Sequence, residues 1–262
     1  MAESTYLLFE QVLRELQQQR GVLTDLHHRL DALEGILHHS ETAEGEAVTD
    51  DPAPLTPPDS LPPLQTTEDR RRWWNKLTPP WQQAFRSGFW RMATPTVEEP
   101  TDTELQELLE TDTLRLVGSG GQHSNVSVTL TDCSGLRYLI HLRQLFFTHH
   151  EVTTLDGLEQ LTRLETLFCN SNRLTNADAL RYLPNLRQVY LNNNQLVTLR
   201  PLGYCPQLET LYCSHNLLTD LHGLAERQAG KLTTLVVLPN ERLPERELRR
   251  VEQKLIINIR RG

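Results

Sequence analysis

Ten histidines and four cysteines are the side chains of this 262-residue chain best suited to holding a metal or attacking a substrate. Their spacing speaks against both. No histidines fall in the HExxH or H-x3-H patterns that place two ligands on one helix face, and no cysteines fall as CxxC. The glycine run at 118–121, Gly-Ser-Gly-Gly, lacks the Lys and Ser/Thr that complete a phosphate-binding loop. The expectation is a non-catalytic chain with no cofactor and no metal. A different set of residues is spaced with regularity. Phe146, Phe168, Tyr190 and Tyr212 recur every 22 positions, each between two residues that are apolar or cysteine.

Those aromatics sit inside a longer repeated frame, L-x-x-L-x-L-x-x-N-x-L. It runs Leu142, Leu145, Phe147, His150, Val152; then Leu164, Leu167, Cys169, Asn172, Leu174. The next copies are Leu186, Val189, Leu191, Asn194, Leu196 and Leu208, Leu211, Cys213, Asn216, Leu218. A fifth, Leu232, Leu235, Val237, Asn240, follows after 24 residues, and a degenerate one precedes at Val128, Leu130 and Cys133. One copy buries too little to fold alone, so the copies must stack. Over residues 126–243 this pattern resembles the leucine-rich repeat family in its short, 22-residue class. The resemblance implies an α/β solenoid with short parallel strands. Cys169 and Cys213 then face the core, which suits a reducing, cytoplasmic compartment. Asn172, Asn194 and Asn216 should form a hydrogen-bonded ladder at the turn, with a ring nitrogen of His150 standing in at one rung.

Alternation along each strand puts the intervening side chains on the opposite, concave face. The central column is Phe146, Phe168, Tyr190, Tyr212 and Val236. One flank is Gln144, Thr166, Gln188, Thr210 and Thr234; the other is Thr148, Asn170, Asn192, Ser214 and Leu238. Arg143, Glu165, Arg187 and Glu209 alternate in sign at the rim. An apolar stripe between uncharged hydrogen-bonding groups has the composition of a protein-binding patch. The candidate binding residues are Phe146, Phe168, Tyr190, Tyr212, Asn170, Asn192, Arg143 and Arg187. The same rings could instead serve to cover the sheet by stacking on one another. His149 and His215 share a column but stand three repeats apart, roughly 14 Å at strand spacing, too far to act as a pair.

The elements before the repeats differ in kind. Phe9, Val12, Leu16, Gln19, Leu23, Leu26, Leu30, Leu33 and Leu37 are spaced alternately by three and four, a heptad seam. It predicts a coiled-coil helix over 1–39 with homo-oligomerisation through residues 5–38, in which Leu16, Gln19, Leu23, Leu26, Leu30 and Leu33 form the contact. The opposing reading is a helix packed on its own chain. Residues 40–68 hold six prolines and many acids, and read as a disordered spacer. Residues 70–92 hold six Lys or Arg and no acid, with four tryptophans among them. Thr78 is placed to cap a helix begun by Pro79 and Pro80, with Trp81, Phe85 and Phe89 on one face; Asp102 is placed to cap a second. The stretch WW-x-x-L-x-x-x-W-x-x-x-F resembles a module that precedes repeats in bacterial leucine-rich-repeat proteins, and implies no activity. It reads as a helical N-terminal cap over 69–125. The alternative is a nucleic-acid patch at 70–91, opposed by the acids on both sides. Leu248, Val251, Leu255 and Ile259 predict a C-terminal capping helix over 244–262.

The chain is 38% apolar and 23% charged with a net charge of −8, and no run of about 20 apolar residues could span a bilayer. Glu3 and Glu10 stand where a secretory signal carries basic residues. The reading is a cytoplasmic interaction scaffold that binds a protein partner on its concave face and is gathered by its coiled coil, with no membrane role and nucleic acid as the lesser alternative. A purely structural oligomer is the remaining rival.

Overall fold

Leu-x-Leu in each repeat buries two side chains on one side of a short strand, and the fold follows from stacking those strands. The computed structural model describes residues 55–58, 61–92, 99–224, 231–255 and 259–261. They belong to the unit Pro52–Gly262; the other unit, Met1–Asp51, lies outside them, and with it the coiled-coil reading and all six of its contact residues. Seven strands form one sheet in sequence order: β1 (Thr113–Val117), β2 (Gln144–Thr148), β3 (Thr166–Phe168), β4 (Gln188–Tyr190), β5 (Thr210–Tyr212), β6 (Thr234–Leu238) and β7 (Ile259–Arg261). Every neighbouring pair is parallel, and the register of β2 to β5 advances by 22 residues per strand. The return limbs carry short 3-10 turns at Ser134–Leu136, Asp178–Tyr182 and Arg200–Tyr204. Their leucines, such as Leu155, Leu158 and Leu161, are fully buried against the strands in one continuous core.

The sheet starts one strand earlier than the repeat frame. Leu114 and Leu116 of β1 are buried and pair with Leu145 and Phe147 of β2. Leu130 follows Leu116 by 14 positions, whereas Val152 follows Phe147 by five, so nine extra residues separate this strand from its return limb. Those residues close the open edge of β1. Asn125 Oδ1 accepts from the Val117 amide at 2.8 Å, and its Nδ2 donates to the Arg115 carbonyl at 2.7 Å and to Gly88 at 3.1 Å. The amides of Asn125 and Val126 both donate to the Val117 carbonyl. A sheet edge left bare would recruit another strand; here a loop occupies it. At the other end Ile259, expected in a helix, lies in β7 beside Leu235.

Among the described residues three helices precede β1: α1 (Thr67–Lys76), α2 (Pro79–Gly88) and α3 (Asp102–Glu110); α4 (Glu245–Leu255) precedes β7. The spacer reading of 40–68 ends too late, because Leu64 packs on the core and Thr66 with Asp69 makes a capping box at the start of α1. Thr78 does precede α2, but its side chain makes no cap bond. Thr101, not Asp102, caps α3; Asp102 instead accepts from Arg70 at 2.9 and 2.7 Å and ties α3 to α1. Trp81 and Phe85 are fully buried, and Trp81 stacks on Phe147 of β2 with centroids 5.8 Å apart. Gly135 lies flush against the Trp81 ring, where any β-carbon would overlap the indole.

Just beyond each strand of the regular repeats, immediately before the ladder position, stands a residue with positive φ: His149 at 60°, Ser171 at 56°, Asn193 at 56° and His215 at 55°. The left-handed turn reverses the chain so that the following Asn points inward. Asn tolerates this conformation; a β-branched residue does not. Ser171→Val is therefore expected to lower stability by about 1–2 kcal/mol while Ser171→Gly does not, as read by urea unfolding.

Candidate functional site

The four sequence-selected aromatics emerge side by side on the concave face. Their rings stack in order, Phe146 on Phe168 at 4.6 Å, Phe168 on Tyr190 at 4.1 Å and Tyr190 on Tyr212 at 5.0 Å, with interplanar angles of 9°, 5° and 22°. Register forces this, because each ring sits one strand spacing from the next and stands between two buried leucine-type positions. The rings are half-buried by one another, and burial with the neighbouring Tyr212 raises the Tyr190 phenol above its ordinary value. Their faces are spent on each other, so the surface offered to a ligand is a row of ring edges and two phenols.

Asn170 and Asn192 flank the ridge half-exposed, as the alternation required, while Thr148 and Ser214 in the same column are buried. The other flank keeps Gln144 and Gln188 exposed. Arg143 and Arg187 lie at the rim, but each spends its charge inside the chain. Arg143 pairs with Glu165 and Arg187 with Glu209, both at 2.8 Å. Exposed pairs of this kind contribute little stability, yet they leave neither arginine as a free cation.

One residue of this face was not legible from the repeat frame. Register places Arg115 of β1 at the head of the aromatic column, opposite Phe146. Its guanidinium carbon lies 6.0 Å from the Phe146 ring centre, and its Nη2 donates to the carbonyls of Gln122 and His123 at 3.4 and 3.2 Å. The signal available was Leu114-x-Leu116 itself, obscured by the nine-residue insertion.

Below the strands the amide ladder is complete. Asn172, Asn194 and Asn216 accept through Oδ1 from the amides of Val152, Leu174 and Leu196 at 3.3, 3.0 and 3.0 Å. Each Nδ2 donates to the carbonyl of its own strand and to that of the strand before. His150 fills the first rung as anticipated, with Nδ1 accepting from Leu130 at 3.3 Å. All four cysteines are buried thiols, and burial raises Cys169 and Cys205 to about 12.

Most of the basic aromatic segment is turned inward, with Phe89 and Trp90 half-buried. Trp73, Trp74, Trp81 and Phe85 are buried, Arg70 is committed to Asp102, and Arg86 lies over the Trp74 ring at 5.4 Å. A separate groove of about 400 Å³ runs between Leu61–Leu64, Leu109, Tyr138 and Ile140. Ile140, 45% exposed, is the one large apolar side chain open to solvent among the described residues.

Residues 162–204 and 184–226 match the family model for leucine-rich repeats in two overlapping copies. No curated protein matches the chain. Among solved structures the chain is similar to the functional domain of InlJ from Listeria monocytogenes, which includes a cysteine ladder, at 26% identity and a TM-score of 0.44. That likeness covers 66% of this chain but only 36% of the InlJ chain. It is also similar to internalin C2 of the same organism, at 18% identity over 70% of this chain and 93% of the other, with a TM-score of 0.35. An internalin, inlF, gives 17% identity over 70% and 78%, with a TM-score of 0.28. Repeat spacing, parallel register and asparagine ladder agree with the family model over the stretch it matches: residues 162–226 are leucine-rich repeats.

Proposed function

We propose that the protein is a non-catalytic interaction module that binds a protein partner along the concave aromatic ridge, with copies gathered by the heptad helix of residues 5–38. The observation that carries this reading is the ridge itself: four stacked rings on an open sheet, flanked by amides and hydroxyls that are free of charge. That composition suits a protein surface better than a sugar or nucleobase, which would need an aromatic face to stack on. Gathering several copies would multiply a weak single-site affinity through effective concentration. The cytoplasmic address belongs to the same proposal.

One observation favours sheet covering instead, namely that the rings satisfy one another. The double variant Phe168→Ala, Tyr190→Ala separates the two. Loss of partner capture with a stability cost of only about 1–3 kcal/mol, the worth of the broken stacks, supports recognition. Retained capture, or collapse of the fold, supports covering. Capture by residues 61–262 compared with the whole chain measures what the heptad segment adds.

A further inference from the structure

We infer that Arg115 reads the free C-terminal carboxylate of an extended apolar peptide segment laid along the ridge, an inference that rests on the reading just given. Two features of the concave face support it. The first is charge. Of the arginines on this face whose side chains are described, Arg143 and Arg187 are neutralised by Glu165 and Glu209, whereas Arg115 is exposed and makes no ion pair among the described residues. Its contacts are the Phe146 ring and two carbonyl oxygens, which orient the guanidinium without cancelling its charge. An oriented guanidinium with unused donors is matched by a carboxylate, which it can bind bidentately.

The second feature is position. Arg115 stands at the end of the aromatic column, and among the described residues no further strand lies beyond the one that carries it. The inserted loop occupies that edge through Asn125 and Val126, and its Gln122 and His123 carbonyls reach the level of the Arg115 side chain. A chain running along the ridge from Tyr212 towards Phe146 meets this loop at Arg115. A segment that ends there, on its own carboxylate, fits; one that continues must leave the face. The peptide therefore runs with its C-terminus at β1, apolar side chains on the ring edges, and main-chain groups within reach of Gln144, Gln188, Asn170 and Asn192.

The test uses the full chain and an array of nonapeptides in two forms, free acid and C-terminal amide, measured by fluorescence polarisation. The expected result is a set of peptides with apolar residues near the terminus that bind as free acids about 10- to 100-fold more tightly than as amides, the range for one charge-assisted contact. Arg115→Gln should erase that ratio and leave the weaker amide binding in place, while Arg115→Lys keeps part of it; unchanged thermal melting of both variants excludes a folding defect. Equal binding of acid and amide forms, a preference for internal Asp or Glu instead, or no effect of Arg115→Gln would each overturn the inference. If amide peptides bind and Phe168→Ala with Tyr190→Ala abolishes that binding, the ridge reading stands and only the carboxylate assignment falls. Absence of any peptide binding overturns the inference and leaves a folded protein surface as the partner.

Discussion

Replacing Asn194 with Leu is expected to cost about 3 kcal/mol or more, seen as a fall in the urea midpoint with an unchanged slope. The number comes from counting what one side chain serves. Asn194 Oδ1 accepts from the Leu174 amide, and among the described residues that buried group has no other acceptor. Its Nδ2 donates to the carbonyls of Cys169 and Leu191, each at 3.0 Å, and more weakly to that of Asn192 at 3.4 Å. Those carbonyls each keep a second donor, from Asn172 and Asn216 respectively, so they are weakened rather than abandoned. One orphaned N–H costs roughly 1–3 kcal/mol, and two half-served carbonyls bring the total to the figure above. Leucine has similar volume, so a cavity does not explain the loss. In a domain of this size the change corresponds to a fall in Tm of roughly 6–12 °C. The comparison that isolates the mechanism is Leu191→Val in the same repeat, which removes one methylene and no hydrogen bond, and should cost no more than about 1.5 kcal/mol. A loss at Asn194 no larger than that would mean the ladder is not what holds the turns.

Much of this architecture is legible in the sequence because a stacked repeat writes each structural role at a fixed interval. The buried leucines, the Asn ladder and the aromatic ridge all belong to columns, and a column is visible as a period of 22. What escaped belongs to contacts without a period. Leu114 and Leu116 form a strand, yet nine inserted residues shift them out of frame, so Arg115 reads as part of a helical cap until register with Phe146 is known. The sign alternation of Arg143, Glu165, Arg187 and Glu209 was visible, but whether those charges face a partner or one another depends on strand spacing. At one strand apart they close on each other. Asp102 looked like a helix cap by its place at a helix start; its partner Arg70 lies 32 residues earlier, and local sequence cannot weigh that against capping. Asn125 shows the same limit, since its role as an edge closure needs Gly88 and Val117 in place first.

These contacts also explain where specificity can reside. The periodic columns build a face with no net charge and repeated chemistry, which would hold an extended chain without fixing its position along the ridge. Strand β1 and its nine-residue insertion break that degeneracy. They supply an arginine with no ion pair among the described residues and a loop that ends the ridge, so a bound chain would acquire a direction and a terminus.

The repeat built on β2 carries a second departure from the pattern, and it makes stability depend on pH. His150 replaces Asn at the first rung and accepts from the Leu130 amide through Nδ1, so the ring must stay neutral there. Burial lowers its pKa to about 4, with the Leu116 carbonyl opposing and His149 adding to the shift. In the unfolded chain the same group titrates near 6.5. The folded value is the lower one, so between those two values the unfolded state binds more protons, and stability falls as pH is lowered. The contribution is intact above about pH 6.5 and is lost progressively down to about pH 4. The full span amounts to roughly 3 kcal/mol at 1.36 kcal/mol per pH unit. Asp102 and Glu247, which are held below their ordinary values, lose their stabilising ionisation at lower pH and so extend the decline beyond this window. His150→Asn should restore the amide ladder at this rung, with Oδ1 taking the Leu130 amide and Nδ2 available to the strand carbonyls. The variant is expected to show a nearly flat dependence from pH 6.5 to 4.5, and to exceed the parent chain in denaturant midpoint at pH 4.5. Parallel pH profiles for the two proteins would show instead that protonation of this ring is not what the fold resists.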